Sequence, residues 1–127
     1  MKHYECKTCG NIVEVIRDSA IVPVCCSKNM EEIISNNKED VAIEKHVPVF
    51  KRNNNKIEIM IGSVPHPMTK EHYIEWIELE TNSSVYRRHL KYTDKPCVTF
   101  YLSSDNEEVI NIYAYCNIHG LWSLKGK

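Results

Sequence analysis

Lys56-Ile57-Glu58-Ile59-Met60-Ile61 places an isoleucine at every second position, with a charged residue or a methionine between. A period of two puts the three isoleucines on one face of an extended strand and their neighbours on the other. The same reading extends outward along the chain. Ile74-Glu75-Trp76-Ile77-Glu78-Leu79-Glu80 reads as a strand, Val98, Phe100 and Leu102 alternate, and so do Ile110, Ile112 and Ala114. Turn-forming clusters separate these runs: Arg52-Asn53-Asn54-Asn55, Thr81-Asn82-Ser83-Ser84, Thr93-Asp94-Lys95-Pro96 and Ser103-Ser104-Asp105-Asn106. No segment keeps a 3.6-residue period over three turns. Short strands at regular spacing predict an all-β chain whose larger part is an antiparallel sandwich.

The amino-terminal part reads differently. Cys6-Lys7-Thr8-Cys9-Gly10 is a metal knuckle in which Gly10 can take positive φ, and Asn11-Ile12-Val13-Glu14-Val15-Ile16 alternates as a strand. Pro23 breaks the next run before the adjacent pair Cys25-Cys26. Residues 1–36 cannot build an adequate core alone, so a metal staple is physically expected there. The polar stretch Ser35-Asn36-Asn37-Lys38-Glu39-Asp40 reads as a linker to the β-rich remainder, 37–127.

Bulk properties narrow the function classes. The 127 residues are 43% apolar and 26% charged, which suits a soluble globule. The 16 basic and 17 acidic side chains leave a net charge of −1, which argues against a nucleic-acid binder driven by phosphate neutralisation. The start Met1-Lys2-His3-Tyr4-Glu5-Cys6 lacks the apolar core of a signal peptide, and no apolar run approaches the roughly 20 residues that span a bilayer. A cytoplasmic protein with no membrane partner is the expectation. In that compartment six clustered cysteines favour metal over disulfides.

Two ligand sets follow. Cys6, Cys9, Cys25 and Cys26 form a tetrathiolate set, for which a zinc ribbon is the ordinary reading and mononuclear iron the other. The vicinal pair is geometrically awkward, because neighbouring side chains tend to point apart. The second set comprises His46, His66, His72, Cys116 and His119. Taken singly, each histidine is an ordinary surface or hydrogen-bonded residue, as His3 and His89 are expected to be. His66 stands between Pro65 and Pro67, which stiffen its backbone, and Cys116 and His119 have CxxH spacing. Four neutral imidazoles can fill the plane around a divalent transition metal and one thiolate an axial position, leaving one face open. Such a set suits a redox metal with a vacant position rather than a structural zinc, which is normally closed and four-coordinate.

Read together, the strings Cys6-Lys7-Thr8-Cys9-Gly10-Asn11, Val24-Cys25-Cys26, Glu44-Lys45-His46-Val47-Pro48-Val49, Gly62-Ser63-Val64-Pro65-His66-Pro67-Met68, Ile74-Glu75-Trp76-Ile77 and Tyr115-Cys116-Asn117-Ile118-His119-Gly120 resemble desulfoferrodoxin, the two-iron superoxide reductase family. The resemblance covers essentially the whole chain. It implies a desulforedoxin-like, rubredoxin-class four-cysteine iron domain over 1–36. Over 37–127 it implies a neelaredoxin-like catalytic domain with an immunoglobulin-like antiparallel β-sandwich. It implies two iron ions per chain, zinc remaining possible in the four-cysteine site, and a homodimer. His46, His66, His72 and His119 would hold the catalytic iron in the plane with Cys116 axial, and Glu44 and Lys45 would flank the open face. The substrate implied is superoxide, reduced to hydrogen peroxide with electrons from a rubredoxin-like donor. Lys45 is the residue expected to attract superoxide and orient a proton-donating water, and Glu44 the one expected to take the vacant position after oxidation. Cys97 has no place in the pattern and is expected to be a small apolar filler. The competing readings are a non-enzymatic iron electron carrier, a zinc-ribbon interaction module on a β-sandwich, and superoxide dismutation.

Overall fold

The computed structural model describes residues 1–36 and 43–126. The expected linker, from position 37 on, lies outside the described residues. The chain divides into two compact units, Met1–Ile34 and Ser35–Lys127.

The first unit contains β1 (His3–Glu5), β2 (Ile12–Glu14), β3 (Val24–Cys25), β4 (Lys28–Asn29) and β5 (Glu31–Glu32). β1 is the centre of an antiparallel sheet in the order β2-β1-β5, and β3 pairs with β4. Its buried apolar residues are Tyr4, Cys6 and Met30, with Val15 and Cys25 packed against them. A core of that size supplies little hydrophobic stabilisation, as the sequence predicts for a unit held by a metal.

The second unit begins its described part with the single-turn helix α1 (Ile43–His46), followed by β6 (Pro48–Asn53), β7 (Lys56–Ile61), β8 (Ile74–Thr81), β9 (Val85–His89), β10 (Cys97–Tyr101), β11 (Val109–Cys116) and β12 (Gly120–Lys125). Three strands form a sheet in the order β10-β7-β6 and four form a second in the order β12-β11-β8-β9, every pairing antiparallel. Lettered along the chain as A, B, C, C′, E, F and G, these are the E-B-A and G-F-C-C′ sheets of an immunoglobulin-like sandwich. The alternation of Lys56–Ile61 is realised directly. Ile57, Ile59 and Ile61 are buried and join Val98 and Phe100 from β10 in one core with Ile77, Leu79, Ile112 and Ala114 of the facing sheet. The Asn54-Asn55 turn between β6 and β7 uses Asn54 at φ 57°, a left-handed conformation that asparagine tolerates.

Simple alternation fails at two places, both in the β8–β11 pair. Val109 lies opposite Thr81, yet Asn111 lies opposite Glu80, so Ile110 is an extra residue. This bulge turns Ile110 outward, 42% exposed, and sends Val109 into the core instead. The reading that grouped Ile110 with Ile112 and Ala114 is corrected there. At the other end Tyr115 faces Trp76 and Cys116 faces Ile74, which makes Glu75 the extra residue on β8. The second bulge shifts the phase of β8 so that Ile74 faces inward as Ile77 does, opposite Cys116 at the end of β11, and both are fully buried.

Candidate metal centres

In the first unit the four cysteine sulfurs lie within 4.8 Å of one another, and none of the cysteines is in a disulfide. Cys9 Sγ is 3.6 Å from Cys25 Sγ, and Cys25 Sγ is 4.0 Å from Cys26 Sγ. The awkwardness of adjacent ligands is resolved by the backbone. Cys25 pairs with Lys28, so Cys26-Ser27 is a two-residue hairpin loop, and both residues have positive φ, 53° and 62°. That is the backbone of a type I′ turn, a place where Asn-Gly is preferred. Two residues without that preference in a strained turn mark a site at which local propensity yields to ligation. The Cys9 amide N–H, donating to Cys6 Sγ at 3.5 Å, brings the Cys6 thiol down to about 6. The Cys26 thiol is pushed up to about 12 by the sulfurs of Cys9, Cys6 and Cys25. Four sulfurs this close cannot all ionise without a cation among them, and tetrathiolate coordination of zinc or iron supplies one.

The second centre lies at one end of the sandwich and is built from loops anchored on strand ends. His46 ends α1, His66 and His72 lie between β7 and β8, Cys116 ends β11, and His119 is in the turn before β12. The four imidazoles form a ring. Successive centroids are 4.6 Å apart for His46–His66, 4.6 Å for His66–His72, 5.1 Å for His72–His119 and 4.8 Å for His119–His46. The diagonal from His46 to His72 is longer, 6.3 Å. Neighbouring rings are close to perpendicular, at 74° to 89°, whereas the diagonal pair is inclined by 32°. Donor atoms of His46, His72, Cys116 and His119 all fall within 4.8 Å of one another. His66 is outside that tightest set, although its Nε2 is 3.2 Å from His46 Nε2. His46 Nε2 and His119 Nδ1 are 3.0 Å apart, and Cys116 Sγ is 3.8 Å from His119 Nδ1.

The donor set fits a transition metal on three counts. His72 Nε2 is buried with no hydrogen-bond partner, a costly arrangement that a ligand bond would relieve. His66 Nδ1–H donates to the Pro67 carbonyl at 2.7 Å, which leaves Nε2 unprotonated and turned toward the other rings. Burial, reinforced by the neighbouring imidazoles, lowers His66 to about 4, and burial with His119 and Lys45 lowers His72 as well. Neutral imidazole is the ligating form. Burial raises the Cys116 thiol, opposed by the amides of His119 and Ile118 and assisted by the Glu75 carboxylate. A divalent cation would reverse that preference and hold the thiolate.

Glu44 and Lys45 are exposed on α1, immediately before His46. Lys45 directly precedes His46 on α1, and its charge adds to burial and His119 in lowering His72. The Glu44 carbonyl accepts from Val64 N at 3.0 Å and Ser63 Oγ at 3.3 Å. His3, His89 and Cys97 do not join the cluster: His3 is buried in the first unit, His89 is exposed at the end of β9, and Cys97 is half-buried on β10.

Three contributors escape a reading by ligand type. Gly62 has φ +88°, and a Cβ there would overlap the Val64 carbonyl and sit 2.8 Å from both the Glu44 carbonyl oxygen and the Lys45 carbonyl carbon. One of only four glycines, directly after an alternating strand, is the signal that could have flagged it. Trp122 is fully buried and stacks on His46, centroids 4.6 Å apart and planes at 25°. Asn117, inside the Cys116–His119 string, bonds the loop that carries His72.

The desulfoferrodoxin family profile matches residues 38–125, and the profile for the desulfoferrodoxin N-terminal domain matches residues 1–33. The chain belongs to the desulfoferrodoxin family. A desulfoferrodoxin of Syntrophotalea carbinolica is 46% identical over 97% of this chain and 94% of that one. A desulfoferrodoxin homolog of Archaeoglobus fulgidus is 45% identical over 96% of this chain and 94% of that one. Among solved structures, the superoxide reductase from Treponema pallidum superposes with a TM-score of 0.79 at 31% identity, covering 98% of this chain and 96% of that one. The desulfoferrodoxin resemblance seen in the sequence strings thus holds at the level of the whole chain. Among the described residues, no helix is long and apolar enough to cross a membrane.

Proposed function

We propose that this chain is a superoxide reductase, which converts superoxide, one electron and two protons into hydrogen peroxide. The observation that carries the reading is that donor atoms of His46, His72, Cys116 and His119 lie within 4.8 Å of one another, with His66 Nε2 3.2 Å from His46 Nε2. His46, His66, His72, His119 and Cys116 would hold a ferrous ion. Bound there, such an ion would supply the electron that reduces a small anion. The residues do the rest. Burial favours the neutral, ligating form of His66 and His72 at neutral pH. Cys116 contributes a thiolate whose negative charge favours the oxidised state, and the amides of Ile118 and His119 temper that charge. Lys45 attracts superoxide and orients a water that delivers protons to it. The field is local, because residues 37–127 carry equal numbers of acidic and basic side chains. Glu44, exposed on the same helix turn, would supply a carboxylate to the oxidised ion.

The reading extends to the whole chain. Residues 1–36 form a desulforedoxin-like domain whose Cys6, Cys9, Cys25 and Cys26 take iron in preference to zinc, and 37–127 form the catalytic domain. The protein works as a cytoplasmic homodimer and draws its electrons from a rubredoxin-like donor. Purification under anaerobic conditions, with metal analysis and visible spectra before and after oxidation, should find two iron ions per chain with distinct bands. Pulse radiolysis of the reduced protein should show second-order decay of superoxide with oxidation of the second iron. Peroxide should accumulate in step with consumption of the external donor, without release of dioxygen. Dioxygen evolved without a donor would make the reaction dismutation, and superoxide left untouched by the iron-loaded protein would refute the activity.

A further inference from the structure

We infer that Asn117 is the positioning residue for His72, acting through the backbone on both sides of that ligand. Residues 62–73 connect β7 to β8 without a strand or helix of their own. A turn fixes the local shape near His72: Thr69 N donates to the His72 carbonyl at 2.9 Å, and His72 N donates to Thr69 Oγ1 at 3.1 Å. That turn shapes the loop but does not attach it to the sandwich. Asn117 does. Its Oδ1 accepts from Tyr73 N at 2.9 Å, its Nδ2 donates to the Glu71 carbonyl at 3.0 Å, and its own backbone N–H donates to the Tyr73 carbonyl at 3.2 Å. The three bonds bracket His72 in sequence, one residue before it and one after.

Asn117 also lies between Cys116 and His119, on the turn that presents both. The clamp therefore ties the His72 loop to the segment that supplies two other ligands. Only a short primary amide can do this, since it carries a donor and an acceptor on one carbon. Aspartate keeps the acceptor for Tyr73 but sets a carboxylate oxygen against the Glu71 carbonyl. The side chain bonds only to backbone groups of the loop, so its effect on the metal is indirect. Groups that orient a ligand typically contribute 10–100-fold in metal affinity when removed, which sets the scale expected here.

This inference rests on the reading of the second centre as an iron site, and its test is made without superoxide. Ferrous iron affinity of the His/Cys site is measured anaerobically by chelator competition, with the four-cysteine site as an internal reference. Asn117→Ala should weaken the site by about tenfold to about a hundredfold and leave the reference unchanged. Asn117→Asp should lose affinity too, while the tryptophan fluorescence of Trp76 and Trp122 reports an intact sandwich. The deciding comparison is in a His72→Ala background. There, Asn117→Ala should cost no further affinity, because the ligand it positions is gone. An equal loss in both backgrounds would make Asn117 a general brace of the loop and overturn the assignment, as would no loss in either. The electron paramagnetic resonance signal of the oxidised centre should change with Asn117→Ala in the otherwise native chain. An unchanged signal would also count against the clamp. The reduction assay on the unsubstituted chain decides the activity separately.

Discussion

Replacing Gly62 with alanine tests how the Glu44–Lys45 backbone that leads into His46 is held. Gly62 sits at φ +88°, where an L-residue is strained by about 1–2 kcal/mol. The added Cβ would also overlap the Val64 carbonyl and stand 2.8 Å from the Glu44 carbonyl oxygen and the Lys45 carbonyl carbon. All three are backbone atoms, so no side-chain rotation relieves the overlap. Overpacking of that kind costs about 1–3 kcal/mol more. The total is about 2–5 kcal/mol, a large share of the stability of a domain this size. Gly120 provides the control. It has φ +80° with nothing within 4 Å of its would-be Cβ, so alanine there carries the strain alone. Both tryptophans, Trp76 and Trp122, belong to the second unit, and urea unfolding followed by their fluorescence reports that unit. Gly62→Ala should lose about 1–3 kcal/mol more than Gly120→Ala, the overpacking part of the sum. It should also weaken iron binding, because the displaced backbone leads directly into His46. Equal losses in the two variants, or a Gly62→Ala protein with native iron affinity, would refute the steric account.

Cys116→Ser should cut superoxide reduction far more than Cys97→Ser, since a hydroxyl is a harder and weaker donor than a thiolate; equal rates by pulse radiolysis would remove Cys116 from the centre. Lys45→Ala should slow the second-order rate about fivefold, the effect of roughly 1 kcal/mol from one charge a few ångströms away in water, and should flatten its dependence on ionic strength. Lys45→Arg should retain much of the rate, and an unchanged salt slope in Lys45→Ala would return this lysine to an ordinary solvated role. Cys9→Ser should empty the four-cysteine site and loosen the proposed dimer while the second centre still reduces superoxide, measured by metal analysis and light scattering beside the rate. Glu107 is held down to about 2, with hydrogen bonds from Ser83 and Tyr86 outweighing the effect of burial. Its contribution to stability is complete above its ordinary value of 4.5 and is lost as pH falls toward about 2, so a carboxyl titration by nuclear magnetic resonance with a midpoint near 4.5 would contradict it.

Residue order alone reveals the β-class of the fold, the faces of most strands and the chemistry of both ligand sets. Those features are local. A period of two decides which side chains share a face of β7 whatever it pairs with, and thiol and imidazole side chains announce their affinity for metal without reference to neighbours. Tertiary structure decided the phase of β11, because the extra residue Ile110 appears only when the strand is laid against β8. It decided that Cys26-Ser27 could enter a type I′ backbone and bring adjacent sulfurs together. It chose the nitrogen His66 turns inward, through the Pro67 carbonyl, and it required glycine at position 62 beneath a helix nearly twenty residues earlier in the chain. The reason is common to all four. A residue's type is fixed along the chain, but the donor, acceptor or carbonyl it must accommodate is supplied by packing, and no period in the sequence records where that partner will be.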